Sequence, residues 1–433
     1  MSWLDRKMAE EWRAEGKRYA ADVNEYVRIG METHWEEEPP AIEEDRRPAM
    51  AQEVVKMIAS ANEAGETTLL REELPPASWP LTGEFKEETQ AVKPLYVWED
   101  GHVLLQTGAS WERRCAYVVG NDSITELTGI GCAGSSADGQ YLAVADENGV
   151  RTIFSPDTSL NGQEVGKFTW QDICSRLKAD LKELESLADE ERPYDILDCI
   201  IPFDDGRQVL LVCAYGIYLL EDSKVQLMHP DAGELREDEL EDTRIDMAHC
   251  AVSRDGRWLA YGSQSSEHLL MDLEGKRLYR IEPHSSYPHY SLFLQDGRSV
   301  WFNACHFYNG DTISVPLHAV ETGTFAEGLP INEEMRVYAG VALKEGGILG
   351  DAYGYLRYIN YEGKEIWRHF VGSTIFGLIA TPDENFLLVG TYGGMLHRIN
   401  LTSGARDEYS IGTAPICETN RWIFWKNREP LSW

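Results

Sequence analysis

The stretch Arg254-Asp255-Gly256-Arg257-Trp258-Leu259-Ala260-Tyr261 places an acidic residue and a glycine directly before an apolar, strand-forming run. An acidic residue and glycine between apolar runs is a strong hairpin signal and predicts a type I′ turn, with positive φ at both central residues. The same arrangement recurs at Asp100-Gly101, Asp138-Gly139, Asp205-Gly206, Asp296-Gly297, Glu345-Gly346 and, in degenerate form, Asp383-Glu384-Asn385. Each turn is followed by a strand, a second turn and a second strand.

The spacing of these seven turns predicts the architecture. Successive turns lie 38, 67, 50, 41, 49 and about 38 residues apart. A period of about 40 residues with several short strands per unit is typical of the blades of a β-propeller. Residues 418–425 align with residues 254–261, which predicts a terminal half-blade completed by strands near residues 67–98. We therefore expect an all-β propeller of seven blades, with eight as the alternative count.

Helical segments are predicted at the N-terminus. Residues 3–31 carry apolar side chains at helical spacing, and a second helix is expected from Pro48, a residue that suits a first helical position, to Gly65. This gives a helical extension over residues 1–66 and a propeller over residues 67–433. The stripe of the first helix either packs on its own domain or binds a partner.

Two insertions interrupt the period. Residues 168–193 predict a helix that opens with the capping pattern Thr169-x-x-Asp172, and residues 229–246 form an acidic loop. Insertions in repeat proteins collect at loop faces, which often bind partners. Each segment is therefore either a specificity element or, in the simpler interpretation, a structural patch and a solvated charge run.

The repeats resemble those of the WD-repeat and quinoprotein-like propeller superfamilies over roughly residues 95–415. The best match is the stretch from Asp351 to Arg368, in which Gly354, Leu356, Gly363 and Trp367 fall at the turn, strand, hairpin and docking positions of quinoprotein-type repeats. The resemblance implies architecture. No Trp-Asp dipeptide closes a repeat, and the chain lacks the adjacent cysteines of the exported quinone enzymes, so no quinone or other cofactor is expected.

Composition limits the classes of function. The chain has 433 residues, 43% of them hydrophobic, and 73 acidic against 40 basic residues give a net charge of −33. No apolar run is long enough to span a membrane, and the charged N-terminus lacks a secretory signal. The eight scattered cysteines indicate reduced thiols, so a cytoplasmic location is predicted. An acidic surface disfavours nucleic acid and favours basic partners.

Catalytic motifs are absent from the sequence, which contains no nucleophile elbow, phosphate loop or zinc-protease helix. The weak candidates for metal ligands are His284, His289 and His306, which repeats of similar phase could bring to one rim, where His249 and Cys250 could join them. Their spacing matches no established site, so a loop packed by rings is the preferred interpretation. Asp146 and Asp351 follow apolar strands, where a side chain could face a central channel.

These observations predict a non-catalytic protein-binding propeller, in its sharpest form a cytosolic inhibitor or immunity protein that blocks a basic toxin or nuclease. The residues predicted to contact the partner lie in the acidic loop: Glu234, Glu237, Asp238, Glu239, Glu241 and Asp242. The alternatives are a metal-dependent hydrolase or lyase with its site in the central channel, and an assembly scaffold that uses the N-terminal helices. The sequence leaves the oligomeric state open.

Overall fold

The fold is a seven-bladed β-propeller with N-terminal helices and an inserted helix. The computed structural model describes residues 3–121, 123–221 and 224–433. The chain divides into two compact units: a terminal unit of Met1–Lys93, Gly350–Tyr358 and Glu365–Trp433, and a central unit of Pro94–Leu349 and Ile359–Lys364. The seven-blade count, favoured from the spacing of the turns, is confirmed.

In the described residues the strands form seven sheets. Five of them are four-stranded meanders of consecutive strands, and in the other two a later segment of the chain adds to the outer edge. Blade 1 contains β1 (Val92–Val97), β2 (Val103–Thr107), β3 (Cys115–Val119) and β4 (Ile124–Leu127), and blade 2 contains β5 (Cys132–Ser135), β6 (Tyr141–Asp146), β7 (Gly149–Phe154) and β8 (Gln163–Thr169). Blade 3 contains β9 (Leu197–Phe203), β10 (Gln208–Cys213), β11 (Gly216–Glu221) and β12 (Lys224–His229), and blade 4 contains β13 (His249–Val252), β14 (Trp258–Gly262), β15 (His268–Asp272) and β16 (Arg277–Ile281).

Blade 5 contains β17 (Tyr287–Phe293), β18 (Ser299–His306), β19 (Asn309–Pro316) and β20 (Leu329–Asn332). The last two sheets have five strands each. Blade 6 contains β21 (Val337–Leu343), β22 (Gly346–Asp351), β23 (Tyr355–Asn360), β24 (Glu365–Phe370) and β28 (Ile411–Gly412), and blade 7 contains β25 (Ile375–Ala380), β26 (Phe386–Thr391), β27 (Met395–Asn400), β29 (Cys417–Ile423) and β30 (Leu431–Ser432).

Each of the seven acidic turns joins the first and second strand of one blade, as the repeat predicts. The predicted positive φ at both central residues is found at Asp205-Gly206, with values of 54° and 75°, but the prediction is wrong at other turns. At Asp255-Gly256 the glycine is left-handed with φ of 72°, whereas Asp255 is not among the residues of positive φ. Gly256 N donates to Ser253 O at 2.9 Å, and Asp255 Oδ1 accepts from Arg257 N at 3.1 Å. This is a type I turn followed by a left-handed glycine, because the aspartate bonds the backbone two residues ahead instead of adopting positive φ.

The N-terminal helices belong to the terminal unit and pack within it. They are α1 (Arg6–Glu32), α2 (Ala51–Ala64), α3 (Thr67–Glu73) and α4 (Trp79–Thr82), with a 3₁₀ turn at Arg47–Met50. The predicted first two helices are confirmed, and Gly65 ends α2 with φ of 70°. Trp12 of the α1 stripe is 1% exposed and packs against Trp433, at 6.2 Å between ring centroids. That part of the stripe is therefore occupied by the unit's own core.

The predicted half-blade is wrong. Residues 67–73 and 79–82 are helical, and β29 pairs with β27 as the fourth strand of blade 7. Among the described residues, the β-pairing of this part of the N-terminal region with the C-terminal segment is a single isolated bridge, Thr89 to Trp425. Pro75 and Pro76 lie between these two short helices and Pro80 is in the first turn of the second, so no strand forms in this segment. The boundary at residue 66 stays a prediction.

The central unit contains the inserted helix and the acidic segment, with α5 (Trp170–Leu181), α6 (Ala232–Glu237) and α7 (Leu317–Glu321). All eight cysteines are free thiols. None of the helices in the described ranges is both long enough and apolar enough to cross a bilayer. The cytoplasmic location stays a prediction.

Candidate functional site

The two predicted insertions meet on blade 3 of the central unit. As predicted, α5 begins after Thr169, whose Oγ1 accepts from Asp172 N at 3.2 Å. The buried face of α5 shares one apolar cluster with strands of blades 2 and 3 and with Leu235 of α6. The residue pair Glu185 and Asp242 forms a parallel bridge, in which Glu185 N donates to Glu241 O at 2.9 Å. The inserted helix therefore holds the acidic segment in place.

We call residues 229–246 the acidic lobe. It contains a helix, α6, where the sequence predicted a loop. Asp231 caps this helix, because its Oδ1 accepts from Gly233 N and Glu234 N at 2.8 and 3.0 Å. Thr243 is fully buried, and its Oγ1 donates to Tyr215 O at 2.6 Å. Leu235 and Thr243 thus anchor both ends of the acidic run, and its backbone is fixed.

The six predicted contact residues fall into two groups. Glu234 lies 3.6 Å from Arg280, and Asp242 lies 4.0 Å from Arg244. The other four are exposed and have no ion pair to any described residue: Glu237, Asp238, Glu239 and Glu241. Four carboxylates that form no ion pair with described residues therefore project from a backbone anchored at both ends, which creates a negative potential that basic groups can satisfy.

The three histidines proposed as weak metal ligands have separate environments. His284 Nε2 lies 3.6 Å from Glu327 Oε1, the His289 ring packs edge-on to Tyr338, and the His306 ring stacks on Tyr287. In the described ranges, no three or more His, Cys, Asp and Glu side chains are grouped to hold a metal ion. Asp146 and Asp351 accept hydrogen bonds from the backbone of the turns that follow their strands.

Burial of imidazole rings is a feature of the central unit that sequence reasoning missed. The His249 and His268 rings lie 6.0 Å apart, and His268 stacks on Phe302 at 4.5 Å. Neither nitrogen of His268 has a hydrogen-bond partner in the described part of the chain. Burial lowers the pKa of His229 and His249 to about 4 and that of His289 to about 3. These rings are therefore neutral at pH 7, and their burial makes the stability of the fold sensitive to acid.

An exposed aromatic turn joins β18 to β19. His306 pairs with Asn309, so Phe307 and Tyr308 form a two-residue hairpin loop, and they are 73% and 60% exposed. Phe307 has φ of 57°, a conformation that favours Gly or Asn and costs about 1–2 kcal/mol for other residues. Arg336 Nη1 donates to Phe307 O at 3.1 Å, and its Nη2 lies 3.6 Å from the sulfur of Met247, which directly follows the acidic lobe. The sequence signal that could have predicted this exposed turn is the pair Phe307-Tyr308 directly before Asn309-Gly310.

The terminal unit holds a buried ionic network that was also missed. Arg421 Nε and Nη2 donate to the two carboxylate oxygens of Glu418 at 2.9 and 2.7 Å, and His397 Nδ1 lies 2.9 Å from the same carboxylate. Burial alone would raise the pKa of Glu418, but Arg421 and His397 outweigh it and lower that pKa well below its usual range. Burial lowers the pKa of His397, so a neutral imidazole donates its Nδ1–H to an ionised Glu418.

A cavity of about 100 Å³ opens beside this network, within the terminal unit. Its polar lining comes from distant parts of the chain and includes Arg47, Arg71, Ser78, His369 and Arg421. Prolines and the half-exposed Trp79 form its apolar part. No local motif marks these positions, because residues more than three hundred apart in sequence meet only in the folded unit.

Comparison with known proteins does not indicate a function for this chain. No protein-family profile and no curated protein matches the chain. Among solved structures, the chain is similar to the β-propeller domain of Cps50 (Swd1) from Myceliophteria thermophila, with 12% identity and a TM-score of 0.45 over 70% of this chain and 95% of that one. At that level the similarity carries no argument about function.

Proposed function

We propose that the protein is a non-catalytic protein-binding propeller whose acidic lobe binds a basic partner. The observation that carries the proposal is the fixed backbone of that lobe, which presents Glu237, Asp238, Glu239 and Glu241 without counter-charges among the described residues. A mobile acidic loop would lose conformational entropy on binding, whereas this one is already ordered by Leu235 and Thr243. The net charge of −33 adds long-range attraction for a cationic surface.

The aromatic turn supplies the second half of the proposed binding surface. Exposed Phe and Tyr side chains give large contact areas at small entropic cost, and aromatic residues are enriched among interface hot spots. Phe307 retains a backbone conformation that glycine would adopt without strain. Strain kept at an exposed position supports a role for its side chain in binding. Its ring would also accept a lysine or arginine side chain in a cation–π contact.

The sharpest form of the proposal is a cytosolic inhibitor or immunity protein. Toxins and nucleases that act on polyanions have cationic substrate surfaces, and a rigid acidic protein can occupy such a surface. A metal-dependent enzyme and a scaffold built on the N-terminal helices are the alternatives, and no observation on the described residues favours either.

Neutralising the four unpaired carboxylates, with E237Q, D238N, E239Q and E241Q together, will weaken partner binding by roughly 10–100-fold at about 0.1 M salt. The variant will fold normally because these side chains are exposed. The measurement is capture of the partner from cell extract at about 0.1 and 0.5 M salt, mass spectrometry, and then titration of the purified partner and assay of its activity.

The control for this experiment has the same change in charge elsewhere, with E10Q, E36Q, E37Q and E38Q, which are exposed positions of the terminal unit. It should keep most of the affinity. A partner that is not basic, or one that binds both variants and the parent equally at both salt concentrations, would rule out the proposed electrostatic recognition. A basic partner that binds but keeps its full activity would remove the inhibitor role.

Replacing Phe307 by glycine will separate stability from binding. We expect F307G to unfold at the same or a higher urea concentration, since it removes about 1 kcal/mol of backbone strain, and to bind the partner at least 10-fold more weakly. K276G is the matched control, because Lys276 has φ of 51° at another exposed turn. It should relieve similar strain and leave binding intact. Unchanged affinity of F307G would exclude the aromatic turn from the interface.

A further inference from the structure

We propose that the cavity of the terminal unit is a second binding site, which takes a single carboxylate group. The juxtaposition that carries the inference is that of Arg47, Arg71 and Ser78 around one solvent-accessible cavity, beside a carboxylate, Glu418, whose oxygens are already bonded. This site is independent of the acidic lobe and of the proposed basic partner.

The volume of the cavity limits the ligand. The volume of the cavity is about 100 Å³. Sites for cofactors and drug-sized ligands have volumes of about 300–1,000 Å³. The cavity therefore accommodates one small polar group, and any larger ligand would extend over the rim.

The polar lining has more donors than acceptors. Arg47 gives Nε and Nη2 to Asp45, at 3.0 and 2.8 Å, and its Nη1 has no acceptor in the described structure. Arg71 donates to the carbonyl oxygens of Trp433 and Glu418, but its nearest contact to the Glu418 carboxylate is 3.8 Å. Guanidinium N–H groups that are not bonded to a carboxylate favour binding a carboxylate ligand. Two parallel N–H···O bonds from one guanidinium to that ligand add specificity.

The two carboxylates beside the cavity already accept hydrogen bonds from the protein. Both oxygens of Glu418 are bonded to Arg421, and His397 bonds one of them. Asp407 also lines the cavity, but its Oδ1 accepts from Tyr409 N at 2.8 Å and thus bonds its own turn. His369 also lines the cavity, but its Nδ1 is buried and has no partner among the described residues. A ligand that only accepts hydrogen bonds matches this set.

The rim favours a carboxylate with an apolar neighbour. Trp79 is 53% exposed, and Pro75, Pro76 and Pro80 line the same cavity. An apolar side chain next to the carboxylate would bury surface on the tryptophan, which a bare ion cannot do. Both a free small acid and a carboxylate of a protein segment satisfy this chemistry.

The test is titration calorimetry of the full chain with N-acetylphenylalanine, which has a carboxylate and an apolar side chain, and with its amide, which lacks the charge. Saturable one-site binding of the acid, at least 10-fold tighter than that of the amide, is expected. Acetate distinguishes the sources: equally tight binding assigns the site to free small acids, and binding at least 10-fold weaker assigns it to carboxylates with an apolar flank.

Two variants locate the binding. W79A changes an exposed side chain, so it will fold. It should lower the affinity for N-acetylphenylalanine several-fold and leave the affinity for acetate unchanged. R71K keeps the positive charge but loses the paired N–H donors of the guanidinium, and it should lower the affinity for both ligands at least 10-fold. Three results would overturn the proposal: equal binding of acid and amide, full affinity in both variants, or no saturable binding of the acid at 10 mM. That concentration is roughly 100 times a Kd of 0.1 mM. If R71K does not fold, the comparison of acid with amide and W79A still decides.

Discussion

Lowering the pH from 7 to 5 will reduce the free energy of unfolding by roughly 6 kcal/mol, through three buried histidines of the central unit. Burial lowers the pKa of His229 and His249 to about 4 and that of His289 to about 3, against a reference of 6.5. Each pKa unit is worth about 1.4 kcal/mol, so at pH 5 each histidine costs roughly 2 kcal/mol. Domains have about 5–15 kcal/mol of stability in total, and so this loss is large.

The sign follows from proton uptake. Below about pH 6.5 the imidazoles of the unfolded chain bind protons, whereas those of the folded chain stay neutral down to about pH 4. Unfolding therefore takes up protons in this window, and stability falls as the pH falls. The cations around the rings act in the same direction, since Arg280 lowers the pKa of His229 and Arg336 lowers that of His289.

Urea unfolding followed by near-ultraviolet circular dichroism at pH 7, 6 and 5 measures this effect. H249Q removes one titrating ring and should show a shallower dependence on pH, whatever its stability at pH 7. H318Q is the matched control, because His318 is exposed and its loss should leave the profile unchanged. A free energy of unfolding that is constant between pH 7 and 5 would show that the three rings are solvated.

The substitution E418Q will destabilise the protein by about 3–5 kcal/mol at pH 7. The Glu418 carboxylate lies between Arg421 and His397, with its side chain 12% exposed. Removal of its charge leaves the buried guanidinium of Arg421 without that counter-ion. Breaking a buried pair by loss of one partner costs this much because the remaining charge cannot be solvated. Arg421 also donates to Ser78 Oγ at 2.9 Å, so the disturbance will reach the floor of the cavity.

Chemical denaturation of the purified variant measures this loss. E53Q is the control: Glu53 forms an exposed pair with Lys56 one turn away on α2, and its loss should cost less than about 0.5 kcal/mol. The double variant E418Q/R421M should recover part of the stability, because it removes the stranded charge together with its partner. Equal stability of E418Q and E53Q would contradict the presence of a buried ionic network.

Local chemistry was sufficient to predict the repeat. Each acidic turn stops one strand and starts the next, and this requires only the aspartate side chain, a glycine and the apolar runs on either side. The cap of α5 at Thr169 and the end of α2 at Gly65 followed from equally local rules. The turn type at Asp255 did not follow from local rules. An Asp-Gly pair can form a type I′ turn or a type I turn followed by a left-handed glycine, and the choice depends on the twist of the paired strands.

The candidate sites were predicted less completely. The acidic run was recognised as a surface for a basic partner, but its helix and its anchoring to Glu185 depend on contact with a segment about fifty residues earlier. The exposure of Phe307 could not be predicted, since it depends on the pairing of His306 with Asn309. The histidines were considered as metal ligands because the sequence does not report which rings are buried.

What the sequence determined by itself was the propeller repeat, the positions of the first turn of each blade, the first two helices and the sign of the charge, all of which depend on residues close together in the chain. It favoured seven blades but left eight as an alternative. Only the tertiary structure decided the half-blade, the buried imidazoles and the arginine-lined cavity. Arg47, Arg71 and Arg421 come together there because each guanidinium needs acceptors that the folded unit supplies. Desolvation and ion pairing depend on which distant groups become neighbours, and sequence spacing does not contain that information.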